Sequence, residues 1–434
     1  MKIALLSMAL AALLLLSSCT AESSSQGGDA ADASTALVDT DGPASEISTE
    51  DEIETQTETE AESEAESAIE TEVESESQTE IESESQTEIE TEAKTESESE
   101  ATPVNTFQNP LLDRAAADPC ILYHDGYYYG TFTEALGIAI YRSTTLENVF
   151  KDEKVIVFNL CDEIQGNVWA PELFYNPSTD RWYIYACGST EGWDFFSMRM
   201  FCLESETNDP FGKYTFKAYT DPNLLAIDQT VFYDEASDTL YTAYSEFTDD
   251  GQVIMLAVME NPWTISDRRI RVSYPRYSWE KKGEREDKDS RVNEGPVFLE
   301  HDGKLSIIYS ASGCWSEYYC LGLIEFKGDD FSVDEMMKRS NWSKHSKPVF
   351  SAANEVYGVG HCTFFNSPDG TETWIAYHGM PTPDAGEEGR YPYAQKISFD
   401  EKGLPILGEP LSRDTEIGVP SGEPIPETEA VTEA

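Results

Sequence analysis

Basic residues are scarce in this chain of 434 residues: 29 lysines and arginines stand against 83 aspartates and glutamates, a formal net charge of −54. A surface so short of cations has little with which to neutralise phosphates, which argues against a nucleic acid partner. There are 8 cysteines, none spaced as Cys-x-x-Cys, so nothing suggests a structural zinc. Gly-x-Ser-x-Gly, Gly-x4-Gly-Lys-Ser/Thr and His-Glu-x-x-His are also missing. Their absence removes the common serine hydrolase, P-loop and zinc-peptidase signatures. No organic cofactor is expected.

What is present begins with Lys2, an apolar stretch from Ile3 to Leu16, and Leu16-Ser17-Ser18-Cys19. The stretch is short for a bilayer span and has no stop-transfer flank, so residues 1–18 read as a signal peptide. A small-residue run ending in cysteine resembles the lipobox of bacterial lipoproteins. That resemblance implies lipidation of Cys19, attachment to the membrane through it, and an extracytoplasmic place on the cell surface. The alternative is ordinary cleavage nearby, with Cys19 lost. Residues 19–102 then form a linker of little but Ser, Thr and Glu. Between Ala21 and Glu100 there are 28 acids and one lysine, a net of −27. Such a segment cannot bury a core and stays expanded by self-repulsion, so a disordered tether is expected. Residues 103–414 hold most of the aromatics and read as the folded domain. The Pro- and Glu-rich stretch 415–434 is expected to be a disordered tail. Seven cysteines remain after Cys19, an odd number; Cys314 and Cys320 are near enough in sequence to bridge, but scattered free thiols are the favoured reading.

Within the domain one pattern returns five times: a polar residue, a short apolar run, a tight turn, then a second apolar run. The leading residues are Asp118, Glu172, Asp228, Glu294 and His361, and the turns are Asp125-Gly126, Thr179-Asp180, Ser237-Asp238, Asp302-Gly303 and Asp369-Gly370. Runs rich in aromatic and β-branched residues around such turns predict β-hairpins. Units of about 60 residues each have room for four short strands, and five of them predict an all-β, five-bladed β-propeller. Pro119, Pro171 and Pro296 beside the leading residues suit the innermost strands, which are edge strands. The five polar residues then sit at one end of the central channel.

A ring of four carboxylates and a histidine is costly to bury unless its members are protonated, paired or bound to metal. Capping or turn roles explain any one of the acids, but give no reason to repeat an acid at the far end of each strand from the turn. Converging carboxyls suit acid–base work on an acetal. Glycoside cleavage needs a protonated carboxyl to donate to the leaving oxygen and a carboxylate to activate water. A third acid beside the donor keeps it protonated through like-charge repulsion. Trp169, three residues from Glu172, is the candidate sugar platform, with Phe132, Trp193 and Trp315 as further aromatics.

These residues resemble glycoside hydrolase family 43, whose members are five-bladed propellers. The match is carried by Ala117-Asp118-Pro119, Trp169-Ala170-Pro171-Glu172, Ile227-Asp228, Asn293-Glu294-Gly295-Pro296 and Gly358-Val359-Gly360-His361, in this order. The resemblance implies that Asp118 is the general base, Asp228 the pKa modulator and Glu294 the general acid of an inverting hydrolase. It implies that His361 stands beside a hydrated Ca2+ ion in the channel; a water-bonded histidine without metal is the alternative. The segment Gly358 to Asp369-Gly370, Trp374 to His378 and Gln395-Lys396 is similar to the branch of exo-acting α-L-arabinofuranosidases. Arg390 fits the first of two arginines common there, but Tyr393 stands in place of the second, so arabinofuranoside over xyloside is a preference. Arg390 either binds substrate or pairs with a ring acid. Glu172 either contacts a sugar hydroxyl or braces Trp169. The implied partner is an arabinose- or xylose-containing plant cell-wall polysaccharide or oligosaccharide, met by a monomer. The Arg-Asp-Pro motif of the retaining fructoside enzymes is absent. The rival from another class is a surface lipoprotein that binds glycans without cleaving them.

Overall fold

The computed structural model describes residues 105–424, so the leader, Cys19 and the whole acidic linker lie outside the described residues. Five sheets of three or four consecutive antiparallel strands form the blades, and two further two-stranded ribbons lie outside them. Blade I runs through Cys120–His124, Tyr127–Thr131, Gly137–Ser143 and Glu153–Asn159; blade II through Gly166–Asn176, Arg181–Ser189, Met198–Ser205 and Tyr214–Tyr219. Blade III comprises Ala226–Asp234, Thr239–Thr248, Gly251–Asn261 and Thr264–Ser273, and blade IV Asn293–His301, Lys304–Ala311, Cys320–Phe326 and Trp342–Lys344. Blade V has three strands, Tyr357–Asn366, Thr373–Met380 and Tyr391–Lys396. The first strand of each blade lies beside the first strands of both neighbouring blades, and the fifth returns to the first, which closes the propeller.

All five expected hairpins join the first and second strands. In two of them the Asp-Gly turns have both residues in the left-handed region, Asp125 and Gly126 at φ 46° and 85°, Asp302 and Gly303 at 48° and 73°. That is the geometry of a two-residue turn matched to strand twist. The core is divided among the spaces between blades, as stacked sheets require. Tyr128, Tyr141, Phe365 and Trp374 fill the space between blades I and V; Phe158, Trp182, Ile184 and Phe201 lie between I and II. Tyr241, Ile307, Tyr309 and Trp342 fill the III–IV space, and Ile308, Val359, Tyr377 and Tyr393 the IV–V space. Hydroxyls on one blade also bond to the next: Thr131 Oγ1 donates to Pro171 O at 2.6 Å, Ser245 Oγ to Asn293 O at 2.9 Å, and Thr363 Oγ1 to Pro119 O at 3.2 Å.

Blade V lacks a fourth strand because the segment before blade I covers its outer edge. Leu111 N–H donates to Pro392 O and Ala116 N–H to Arg390 O. The Asn109 side chain imitates a backbone unit, donating to Ala394 O at 2.9 Å and accepting from Ala394 N–H at 3.0 Å. The expected tail from residue 415 must be corrected. Ile417–Gly418 pairs with Thr106–Phe107, and the buried Glu423 accepts from the Leu146 N–H. Residues 415–424 therefore belong to the folded domain, drawn in by the apolar side chain of Ile417 and by a backbone donor in need of a partner. All seven cysteines among the described residues are unpaired, Cys314 and Cys320 included.

Candidate active site

Every inner strand has, just before or near its start, a two-residue irregularity whose first member has positive φ. The pairs are Asp118-Pro119, Ala170-Pro171, Asp228-Gln229, Gly295-Pro296 and His361-Cys362, with φ values of 61°, 47°, 58°, 51° and 46° for the first members. In blades II to V the pairing register skips these two residues, as between Ile227 and Thr230 or between Glu294 and Val297. A bulge of this kind bends the strand and re-aims its side chains, and proline is tolerated there because no ladder donor is needed. The expectation of five equivalent polar positions is therefore corrected. Asp118, Asp228 and His361 occupy equivalent bulges, Glu294 stands one residue before its own, and Glu172 two residues after Ala170. The repeat in sequence was blurred because blades II and IV place small residues, Ala170 and Gly295, at the bulge itself.

Asp118, Asp228, Glu294 and His361 are all buried and come together at the channel mouth. Asp118 Oδ1 faces three nitrogens: His361 Nδ1 at 3.3 Å, His378 Nδ1 at 3.4 Å and Arg390 Nη1 at 3.4 Å. Its Oδ2 accepts from Thr133 Oγ1 at 2.7 Å, and its backbone N–H donates to His378 Nδ1 at 3.2 Å. Burial alone would raise its pKa, but His361 and then Arg390 hold the carboxyl well below the usual range. Asp118 is thus an ionised, oriented carboxylate, as a base must be. Arg390, paired with Asp118, also donates through Nε to Glu387 O at 3.1 Å.

Glu294 is pushed the other way. Burial raises its pKa, against hydrogen bonds from Tyr319 OH at 2.8 Å and Gln252 Nε2 at 2.9 Å, and the charge of Asp118 adds to the rise. Asp228 is raised to about 7, first by burial and then by Glu294 and Asp118, while its Oδ2 accepts from the Gly295 N–H at 2.9 Å. His361 would be lowered by burial, yet the surrounding acids Asp118, Asp228, Glu294 and Glu172 raise it. His361 among these acids and Arg390 beside Asp118 are the local offsets to their charge. Glu172 is half-buried, near Thr230, and raised to about 7 by burial. It faces His361 and Asp228 from the position immediately after the bulge.

Trp169 is half-buried against Phe195, ring centroids 6.3 Å apart, close to the mouth. Phe132, by contrast, is core, stacked on Tyr141. Trp193 is half exposed, and Trp315 lies under the Lys288 ammonium. Sequence reasoning missed Thr133, Gln252, Tyr319 and a role for His378, which sit on or beside second and third strands. Burial lowers the His378 pKa to about 4, and the ring stacks on Tyr319 with centroids 5.4 Å apart. Base and acid are thereby linked through one pair of stacked rings. His378, late in a second strand, and Tyr319, just before a third, carried the only signal, and core packing explains such residues equally well.

The model describing "Glycosyl hydrolases family 43" matches residues 107–405. An "Extracellular exo-alpha-(1->5)-L-arabinofuranosidase" of Streptomyces avermitilis is 34% identical over 332 residues, covering 72% of this chain and 65% of that protein. The protein of the same name from Streptomyces chartreusis is 33% identical over 283 residues, covering 63% of this chain and 82% of its own. The chain thus spans a little under two thirds of the longer relative. Among solved structures, an α-L-arabinofuranosidase from Lactobacillus brevis superposes with a TM-score of 0.63 at 28% identity, covering 71% of this chain and 98% of that one. A xylan β-1,4-xylosidase from Bacillus halodurans shares the fold, with a TM-score of 0.55 at 18% identity, covering 74% and 61%.

Proposed function

Because the chain belongs to glycosyl hydrolases family 43, we propose that it is an inverting glycoside hydrolase that releases arabinofuranosyl residues from plant cell-wall polysaccharide or oligosaccharide. The single observation that carries the reading is the opposed environment of two buried carboxyls at one channel mouth: Asp118 held low by His361 and Arg390, Glu294 held high by burial. Environments that push two acids apart assign the base and the acid. Asp118 takes a proton from water, whose oxygen bonds to the anomeric carbon. Glu294 gives its proton to the leaving oxygen as the glycosidic bond breaks. Asp228 and Glu294 oppose each other's ionisation, which helps the donor keep its proton, and Arg390 and His361 keep the base ionised. Trp169 offers an apolar face to the sugar, and Glu172 stands within reach of the channel for a hydroxyl. The arabinofuranosidase names of the relatives support the sugar chosen.

Among the described residues no group of three or more His, Cys, Asp or Glu is arranged to ligate a metal directly. A Ca2+ ion fits this channel only through water, with His361 and Glu172 as the residues that would hold its shell. Its chemistry there would be to offset acid charge, the role that the imidazolium proton also fills. Cys19 is the proposed lipid anchor of a monomer outside the cytoplasm. Replacing it by alanine is expected to release the protein from the membrane fraction.

The deciding assay is hydrolysis of para-nitrophenyl α-L-arabinofuranoside beside the β-D-xyloside, with the anomer of the product followed by NMR. Cleavage of the arabinofuranoside with inversion is expected, and Glu294→Ala or Asp118→Ala is expected to lower kcat by about 10² or more. Dominant xyloside cleavage would move the substrate assignment, and retention would overturn the single displacement. If neither compound is cleaved while the protein is retarded on an arabinan gel, the non-catalytic reading stands.

A further inference from the structure

Asn293, one residue before Glu294, is completely buried and turned away from the mouth into a closed polar network. Its Nδ2 donates to Glu280 Oε1 at 2.9 Å, and its Oδ1 accepts from Ser273 Oγ at 2.6 Å and Lys344 Nζ at 3.0 Å. Its carbonyl accepts from Ser245 Oγ. Glu280 is also completely buried: Oε1 takes a further bond from Tyr309 OH at 2.9 Å and pairs with Lys344 Nζ, while Oε2 accepts the backbone N–H groups of Arg276 and Tyr277, both at 2.8 Å. Lys344 makes its remaining bond to Tyr274 O at 2.6 Å. The Glu280 carboxylate is thus fully satisfied, and the network joins the last strand of blade III, the connection between blades III and IV, and three strands of blade IV.

A buried ion pair is seldom the most stable way to fill such a space, since apolar residues of similar volume often do as well or better. What it supplies is direction, because each bond has a fixed length and angle. The direction here is delivered to the backbone joined to Glu294. The same Ser245 hydroxyl that donates to Asn293 O also accepts from Gln252 Nε2 at 3.3 Å, and Gln252 in turn donates to Glu294 Oε2. The Glu294 carboxyl is therefore referenced to this network from its backbone and from its side chain.

We propose that Glu280 and Lys344, acting through Asn293, are positioning residues that aim the Glu294 carboxyl at the leaving oxygen. The inference rests on the reading of Glu294 as general acid. Proton donation matters for a poor leaving group and hardly at all for a good one. The test therefore compares kcat/KM on two α-L-arabinofuranosides, one releasing 2,4-dinitrophenolate and one releasing methanol, in the whole protein and in the charge-free double variant Glu280→Gln, Lys344→Met. The methyl glycoside is expected to lose about ten-fold or more in kcat with KM unchanged, and the dinitrophenyl glycoside less than about two-fold. Equal losses on both substrates, or no loss on either, would overturn the proposal. If the double variant does not fold, Ser273→Ala, which removes one bond to Asn293, decides by the same comparison. Glu294→Ala is run alongside: leaving-group dependence there with none in the network variants sinks this inference alone. Its absence in Glu294→Ala sinks the acid assignment as well.

Discussion

Asp118 and Glu294 are the same chemistry in opposite settings, and the setting of each is made by residues that can be removed singly. Arg390→Gln takes away one of the cations that hold Asp118 low. Its pKa rises, the base is lost at a higher pH, and the acidic limb of the kcat/KM profile is expected to move upward. Asp228→Asn removes a carboxyl whose ionised form repels charge on Glu294. The donor then loses its proton at lower pH, and the alkaline limb is expected to move downward, with lower activity throughout. A pH series on both variants checks the two signs together; a shift of both variants in one direction contradicts the assignment of base and acid. At this scale the sequence was informative where a polar residue broke an apolar run, as at Asp118, Asp228 and His361. It was silent on Tyr319 and Gln252, because the partners of a buried carboxyl are chosen by blade geometry and their residue types are ordinary within strands.

The inner strand is the element that turns a repeat into a site, and its two-residue bulge carries the weight. At Gly295 the chain has φ 51°, and an added Cβ would lie 3.0 Å from His361 Nδ1. Gly295→Ala adds the left-handed penalty of about 1–2 kcal/mol and pushes the histidine off Asp118. Turnover is expected to fall further than the melting temperature, measured by calorimetry beside the aryl glycoside assay. Preserved activity with unchanged stability would remove the bulge from the argument. The hairpins after each bulge were legible because Asp-Gly turns and alternating aromatics act locally. The bulges were not, since a register skip depends on the neighbouring strand. That is why Glu172 and Glu294 fell into one alignment with Asp118 although they sit two residues after and one residue before the equivalent positions.

At the scale of the whole propeller, stability is spread over the spaces between blades and the ring is fastened by its ends. Ile417 pairs with Phe107 and Glu423 holds the Leu146 N–H, so a chain ending at Asp414 should melt several degrees below one ending at Pro424, at about 2–4 °C per kcal/mol for a domain above 150 residues. Equal melting temperatures would show that closure resides in the segment around Asn109 alone. The propeller itself was readable from five turns and their spacing. Its clasp was not, because composition in the stretch 415–434 resembles a tail and the contacts that order it come from the other end of the domain.

The same closure sets when the protein can first act. Asp118 stands on the first blade, while the His378 and Arg390 that tune it arrive 260 and 272 residues later. Contacts so distant in sequence form only after the entropy of closing a very long loop has been overcome, and chains dominated by them fold slowly. A chain emerging from synthesis therefore carries its base long before it carries the groups that make it one. No partly built propeller has a working pair of carboxyls, and the return of turnover on refolding is a clock for the last joining event.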